Sequence, residues 1–406
     1  MKRIWKRQPI YYGWYIALTL AITETVSYGV MVYAFTVFIS PMEAELGWTR
    51  SEISGAFSLF FLVAGVCAFP VGYWLDKHGS RLLMTLCSVG ATVMVLLWSQ
   101  VSTLPEFLAV MALLGVCAAG VLYEPAFTVI ATWFRHNRGS AMAVVTFVAG
   151  FASTIFVPLT DALLVAYGWR QAVLILGLIL GAISIPLHGL VLRRKPSDLG
   201  LSADGAAPIE TPAKEKPIEL SRVLRSRYFW ILTLGFALST FSLYAIRFHI
   251  IPLMISVGIH PSSAAIASGA IGVTQVLGRL FFAPLERRFS SKTMAIGVFV
   301  LAAVSLAILM LGASMIIIVL FVTLFGMAIG AHTLTRPLMV ADSYDTAFFG
   351  RINSAMVIFV TVAITVAPFA AGVVFDLSGS YQPALLMATG FCIVAVILIS
   401  ALPRKN

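Results

Sequence analysis

The sequence predicts an all-α integral membrane protein: twelve transmembrane helices in two pseudo-symmetric six-helix bundles. Three observations carry this. The 406 residues are 60% hydrophobic and only 11% charged, against roughly 25% charged in soluble domains. Apolar runs of about 20 residues, the length that crosses a bilayer, recur twelve times. The one long polar stretch lies in the middle of the chain.

The apolar runs fall at 12–38, 52–74, 82–100, 105–131, 139–164, 171–192, 229–256, 263–284, 293–311, 314–336, 350–375 and 382–402. The first follows a basic flank, Lys2-Arg3-Ile4-Trp5-Lys6-Arg7. It is too long for a signal-peptide core, so it is expected to be retained as span one. The break between the ninth and tenth runs rests only on Gly312-Ala313-Ser314. Residues 193–228 hold Pro196, Gly200, Gly205, Pro208, Pro212 and Pro217 among charges and read as a linker. This divides the chain into an N-terminal bundle (1–192), a cytoplasmic linker (193–228) and a C-terminal bundle (229–406). The linker's end, Ile218–Trp230, reads either as a surface amphipathic helix or as a plain basic flank.

Charge placement sets the expected topology. Lys and Arg cluster before span one, after spans two, four, six, eight and ten, and at the end of the chain; the opposite face keeps Arg50 and Arg170. Excess positive charge marks the cytoplasmic side. Both termini are therefore expected inside, in a multi-pass cell-membrane protein. The same placement explains the net charge of +10 without nucleic acid, for which no basic stripe or zinc-finger spacing exists. The four cysteines lie within apolar runs at no metal or redox spacing. No Walker loop, His-Glu-x-x-His or Gly-x-Ser-x-Gly sequence occurs. Neither an enzyme, nor ATP drive, nor a cofactor is expected.

The halves echo one another. Leu75-Asp76-Lys77-His78-Gly79-Ser80-Arg81 follows span two, and Leu285-Glu286-Arg287-Arg288 follows span eight. Gly139-Ser140-Ala141-Met142 opens span five, and Arg351-Ile352-Asn353-Ser354-Ala355-Met356 opens span eleven. An internal repeat of this kind points to a secondary transporter that rocks one half against the other.

The strongest motif is Gly72-Tyr73-Trp74-Leu75-Asp76-Lys77-His78-Gly79-Ser80-Arg81. It resembles the loop between spans two and three of the major facilitator superfamily, with Ser80 in place of one terminal base. Gly79 permits a tight turn. Asp76 at a helix end can hold one closed state by pairing with a neighbouring span. Gly72, Asp76, Lys77, Gly79 and Arg81, with their repeat counterpart Glu286, are the expected gating residues. Further short motifs resemble the monocarboxylate-transporter-like branch, including its bacterial members: Tyr11-Tyr12-Gly13-Trp14-Tyr15, Arg138-Gly139-Ser140-Ala141-Met142, Tyr167-Gly168-Trp169-Arg170 and Gly278-Arg279. The resemblance implies transport of a small organic anion, often with a proton, and places the branch's substrate arginine at Arg279. Two positions depart: no acidic residue precedes the Gly-Trp of span one, and Gln275 stands where an acid is usual four residues before Arg279.

Charges inside apolar runs are costly in lipid and mark functional candidates. Arg279 lies seven residues from the inner end of span eight, about 10 Å deep at 1.5 Å per residue. Its guanidinium can clamp a carboxylate with two parallel hydrogen bonds; the alternative is an ion pair with Glu24 or Glu124. Gln275 shares its face one turn away. His249 sits just before Pro252, a potential helix break, where an imidazole could contact substrate or carry a proton. Arg247 is placed near the outer third of span seven. Glu24 lies mid-span with Ser27 and Tyr28 one turn on; it is either a proton carrier or the partner of Arg279. Tyr123 and Glu124 in span four face the repeat position of Arg336 in span ten, a candidate inner gate and proton site, with His332 on the face of Arg336.

The functional expectation is a monomeric, proton-coupled carrier of a small monocarboxylate, working by alternating access within the lipid bilayer. Arg279, His249, Gln275, Tyr123 and Tyr28 are its substrate contacts, and Glu24, Glu124 or His249 its proton carrier. The alternative is a proton-coupled multidrug or other small-molecule exporter of the same superfamily. Span five reads Ala149-Gly150-Phe151-Ala152-Ser153-Thr154 rather than the Gly-Pro-Gly-Gly typical of drug–proton antiporters, and span four has no Arg.

Overall fold

The fold was read from a computed structural model that describes residues 11–134, 137–205, 223–286, 288–312, 314–343 and 349–403. Several side chains within these ranges, Asp76 and Arg351 among them, lie outside the description, as do residues 1–10 and most of the linker. Among the described residues, eleven helical segments are long and apolar enough to cross a membrane. One of them, Arg138–Leu190, has 53 residues. At 1.5 Å per residue it would run about 80 Å, against roughly 30 Å of hydrocarbon. It turns back at Gly168 (φ 78°, ψ 166°), a conformation that favours glycine. Two crossings therefore share this segment, which makes twelve among the described residues.

Local sequence explains the helix starts on the side away from the chain ends. Thr49 caps span two: its hydroxyl accepts from the Glu52 amide, and Glu52 accepts from the Thr49 amide at 2.8 Å. Thr103 and Glu106 repeat this capping box at span four. The Gly312 break holds, with span nine ending at Leu309 and span ten starting at Met315.

Three spans depart from simple rods. Span one carries a π-helical turn at Gly29–Tyr33 just after Tyr28. Span four stops at Ala119 and restarts at Tyr123, because Leu122 is extended and Pro125 in the new first turn has no amide to continue the ladder. Span five restarts at Ala152 after Gly150 and Phe151. Conversely, Pro252 does not break span seven, which stays helical over Arg227–Ser256. The expected break beside His249 is thus absent.

Each half has its own buried anchors, and a further cluster joins Val37 and Val157 of the N-terminal half to Leu243 and Ile246 of the C-terminal one. Phe35, Phe57, Phe60, Trp98 and Phe107 anchor the N-terminal bundle, and Phe229, Phe236, Phe299 and Met356 anchor part of the C-terminal one. The motifs at the span ends serve this packing. The Tyr11 and Tyr12 hydroxyls donate to the Trp133 and Val191 carbonyls at 2.9 and 2.8 Å. Trp169 and Arg170 both bind the Glu45 carboxylate, at 2.6 and 2.9 Å, pinning the Gly168 turn to the end of span one.

Candidate functional site

The two halves meet at the end away from the chain termini. There the Ser51 amide donates to the Asp376 carboxylate at 2.9 Å, and the Phe369 amide donates to Ser58 at 3.3 Å. Arg50 pairs with Glu43 at 3.0 Å, and its guanidinium lies 3.7 Å from the centre of the Phe375 ring. Spans five and eight cross at glycines: a Cβ on Gly272 would lie 2.5 Å from the Ser153 hydroxyl and 2.9 Å from the Gly150 carbonyl. The Thr154 hydroxyl donates to the Gly269 carbonyl at 2.8 Å in the same seam.

His249 belongs to this closed end. It is 0% exposed. Its Nε2 lies 2.9 Å from the Pro368 carbonyl and 3.1 Å from the Ser54 hydroxyl, and Nδ1 lies 2.9 Å from the Tyr381 hydroxyl. A carbonyl only accepts, so Nε2 carries the proton and Nδ1 accepts from Tyr381. His249, expected to contact substrate or carry a proton, points into the contact with spans two and eleven on an unbroken span seven, and both its nitrogens are engaged.

Nearer the chain termini, Arg279 of the C-terminal half shares an electrostatic neighbourhood with Arg247 of its own half and with Tyr33 and Tyr123 of the other. Among the described residues its hydrogen bond is to the Thr146 carbonyl of span five, at 2.9 Å. Ion pairing with Glu24 or Glu124 is not observed; the ion pairs among the described residues are Arg50–Glu43 and Arg170–Glu45. Span eight is held in place by span ten. A Cβ on Gly278 would lie 2.7 Å from the Met327 backbone, and one on Gly330 would lie 2.8 Å from the Gln275 backbone. Such close approach at small residues fixes helix pairs in membranes. It sets Gln275 and Arg279 on a rigid support.

Arg247 joins the same group. It donates to the Tyr33 hydroxyl, reaches Gln275 Oε1 at 3.5 Å and lies over the Tyr33 ring at 4.8 Å. It shares one electrostatic neighbourhood with Arg279, Tyr33 and Tyr123. A void of about 10 Å³ bounded by Tyr33, Thr36, Ser153, Arg247 and Ser268 lies beside it, no more than one water's space.

The N-terminal side of this group is aromatic. Tyr28 and Tyr123 have ring centres 4.6 Å apart, and Tyr123 stacks on Phe127 at 5.2 Å. Beneath them Glu24 is 0% exposed, with neither carboxyl oxygen hydrogen-bonded among the described residues. An unpaired buried charge is costly, and no base among the described residues pairs with this one. One residue away, the Thr23 hydroxyl lies 3.0 Å from Nε2 of the buried His188, whose Nδ1 lies 2.8 Å from Ser88.

Glu124 is exposed at the first turn of the second segment of span four. Arg336, in the other half, lies within its electrostatic reach. The Arg336 Nε has no hydrogen-bond partner among the described residues, and His332 one turn away is flanked by the Phe236 and Phe299 rings. In the loop after span two, Gly79 has φ 80°. Arg81 donates to the Gly189 carbonyl at 2.6 Å, Lys77 reaches Tyr73, and Arg194 donates to the Lys77 carbonyl at 2.5 Å. These bonds tie the loop to its own bundle. Gly72 has open space around it and Glu286 is exposed. The Asp76 side chain lies outside the described residues.

Sequence reasoning passed over Tyr33, Tyr381, Glu43 and Asp376, and underrated Arg247. Their one advance signal was polarity within or beside an apolar run. An apolar groove of about 340 Å³, lined by Gly278, Phe281, Leu285 and Met294 among others, lies on the other side of span eight; it offers almost no polar group to orient a substrate.

Twelve crossings among the described residues, in two bundles joined at one end, are the architecture of a membrane transporter rather than an enzyme. The Major Facilitator Superfamily profile matches residues 20–256 and again 237–406, and the chain belongs to that superfamily. It is 25% identical over 380 residues to the uncharacterized MFS-type transporter YcxA of Bacillus subtilis (strain 168), covering 89% of this chain and 88% of the relative. It is 22% identical to monocarboxylate transporter 12 of Xenopus laevis, covering 97% and 89%. A solved structure of a bacterial homolog of the human lysosomal transporter Spinster, described as inward-facing and occupied, superposes with TM-score 0.73 at 16% identity over 95% of both chains.

Proposed function

We propose that this transporter moves a small organic anion, a monocarboxylate, through the cell membrane by alternating access, together with a proton. The observation that carries this is Arg279: a cation between the two halves, rigidly backed by span ten, with a carbonyl partner and no carboxylate partner among the described residues. A desolvated guanidinium without a counter-ion is a ready site for an anion, and its planar fork suits a carboxylate. Gln275, Tyr123 and Tyr28 line the same space, and Arg247 adds a second donor. The name of the Xenopus relative, a monocarboxylate transporter, supports the same substrate class.

Glu24 is the proton carrier in this reading, because no basic side chain among the described residues pairs with it. Glu124 and Arg336, one on each half, form the gate at the end nearer the chain termini. His249 takes the role of latch at the opposite end. With both termini cytoplasmic, as the charge distribution predicts, the described state faces the cytoplasm. The working unit is a monomer.

The test is a thermal-shift screen of carboxylates and cationic drugs on the purified protein, repeated on Arg279→Gln. Carboxylates that stabilise the wild type but not the variant are the expected result. Stabilisation by cationic drugs alone would favour an exporter with Glu24 or Glu124 as counter-ion and would overturn the carboxylate reading. Uptake into liposomes that ignores an imposed pH gradient would remove the proton.

A further inference from the structure

The arginines account for the carboxylate end of a substrate. They leave the opposite wall unexplained. That wall is a continuous run of rings: Tyr33 beside Tyr28 at 6.3 Å, Tyr28 beside Tyr123 at 4.6 Å, and Tyr123 stacked on Phe127 at 5.2 Å with planes 6° apart. It begins where Arg247 lies over Tyr33, so cation and rings form one surface. Tyr28, Tyr123 and Phe127 are each only half-buried, so part of the ring surface stays accessible. Spans one and four supply the rings and spans seven and eight the arginines, which puts the two features on different halves.

Resting on the carboxylate reading above, we infer that the substrate is a planar aromatic carboxylate, its anionic group held by Arg279 and its ring laid against Tyr28, Tyr123 and Phe127. An acid of two or three carbons would satisfy the guanidinium but leave the ring wall wet. A flat π-system fills the gap and gains offset or edge contacts that a saturated ring of equal size does not. It also gives the carrier a reason to respond to its cargo. A molecule anchored on one half by charge and on the other by stacking draws the two halves together, whereas a ligand held by Arg279 alone touches one half. The Tyr28 side of the wall adjoins the π-helical turn at Gly29–Tyr33, an irregularity frequent at functional sites.

The experiment compares benzoate with cyclohexanecarboxylate, matched in charge and close in size, by binding to purified protein. The expected result is benzoate binding tighter by about 2- to 10-fold, the range of aromatic pair interactions. Tyr123→Leu and, separately, Phe127→Leu should bring benzoate down to the affinity of the saturated acid, while Tyr123→Phe keeps the preference. Arg279→Gln should lose both acids. Equal binding of the two acids by the wild type overturns the inference, as does an equal loss of both acids in the two leucine variants. If aliphatic acids such as lactate bind in an Arg279-dependent manner while benzoate does not, the aromatic class is wrong and the carboxylate reading stands. If no carboxylate binds at all, the carboxylate reading itself is wrong.

Discussion

Arg279 of span eight donates to the backbone carbonyl of Thr146 in span five at 2.9 Å, a hydrogen bond that crosses from one half of the transporter to the other. The carbonyl takes one edge of the guanidinium and leaves other N–H groups for a ligand. The same residue that is proposed to hold the anion therefore also reports on the distance between the halves. Arg279→Lys keeps the charge and loses the planar fork. It is expected to lower anion uptake by about 10-fold or more, since hydrogen bonds to charged groups contribute roughly 1.5–3 kcal/mol. Uptake in proteoliposomes, with size-exclusion elution confirming the fold, checks this.

Glu24 has no partner to lose. Glu24→Gln should therefore leave thermal stability unchanged or slightly raised, because it removes a group whose charged form is costly to bury. Uphill accumulation of substrate under a pH gradient should vanish while exchange of labelled for unlabelled substrate persists. Loss of both activities with a folded protein would place Glu24 in substrate binding instead.

His249 ties span seven to spans two and eleven through Ser54, Pro368 and Tyr381. His249→Leu strands the Tyr381 hydroxyl and the Pro368 carbonyl, at a cost of about 1–3 kcal/mol for a buried unsatisfied group. The closed end should open more often. Labelling of a cysteine placed at Ser51 by a membrane-impermeant thiol reagent should then rise, while affinity for the anion changes little.

Much of the architecture was legible. Span lengths, the Thr49 and Thr103 caps and the Gly312 break follow from local sequence, because helix starts and apolar length are local properties. Side-chain direction was not. Arg247 and His249 are two residues apart on one helix, so they point to widely different faces: one reached the neighbourhood of Arg279 and the other the latch, and nothing in their neighbours distinguishes them. The break in span four was equally hidden, since Glu124-Pro125 reads as well inside a kinked helix as at the start of a new one.

The seam between spans five and eight depends on a missing side chain. Gly272→Leu places a side chain against Ser153 and the Gly150 carbonyl. The variant should fold and insert, fail to close the end away from the termini, and lose transport by about 100-fold. The same thiol-labelling assay at Ser51 should show constant accessibility.

Glu124 and Arg336, one on each half, lie within electrostatic reach of each other and are the proposed inner gate. Reversing either one alone should slow transport several-fold by placing like charges at the gate. The double reversal, Glu124→Arg with Arg336→Glu, should restore a large part of the rate, with a coupling energy of about 1–2 kcal/mol. No recovery in the double variant would separate the two residues.

The sealed, partnerless carboxyl of Glu24 has an electrical consequence. In the proposed cycle one proton rides on Glu24 for each monovalent anion on Arg279, so the cargo crossing the bilayer sums to zero charge. Membrane voltage, which acts on moved charge at about 2.3 kcal/mol per elementary charge per 100 mV, then has no hold on the loaded step. Such a carrier would fill or empty a cell according to its pH difference alone, silent to the potential that drives its electrogenic neighbours.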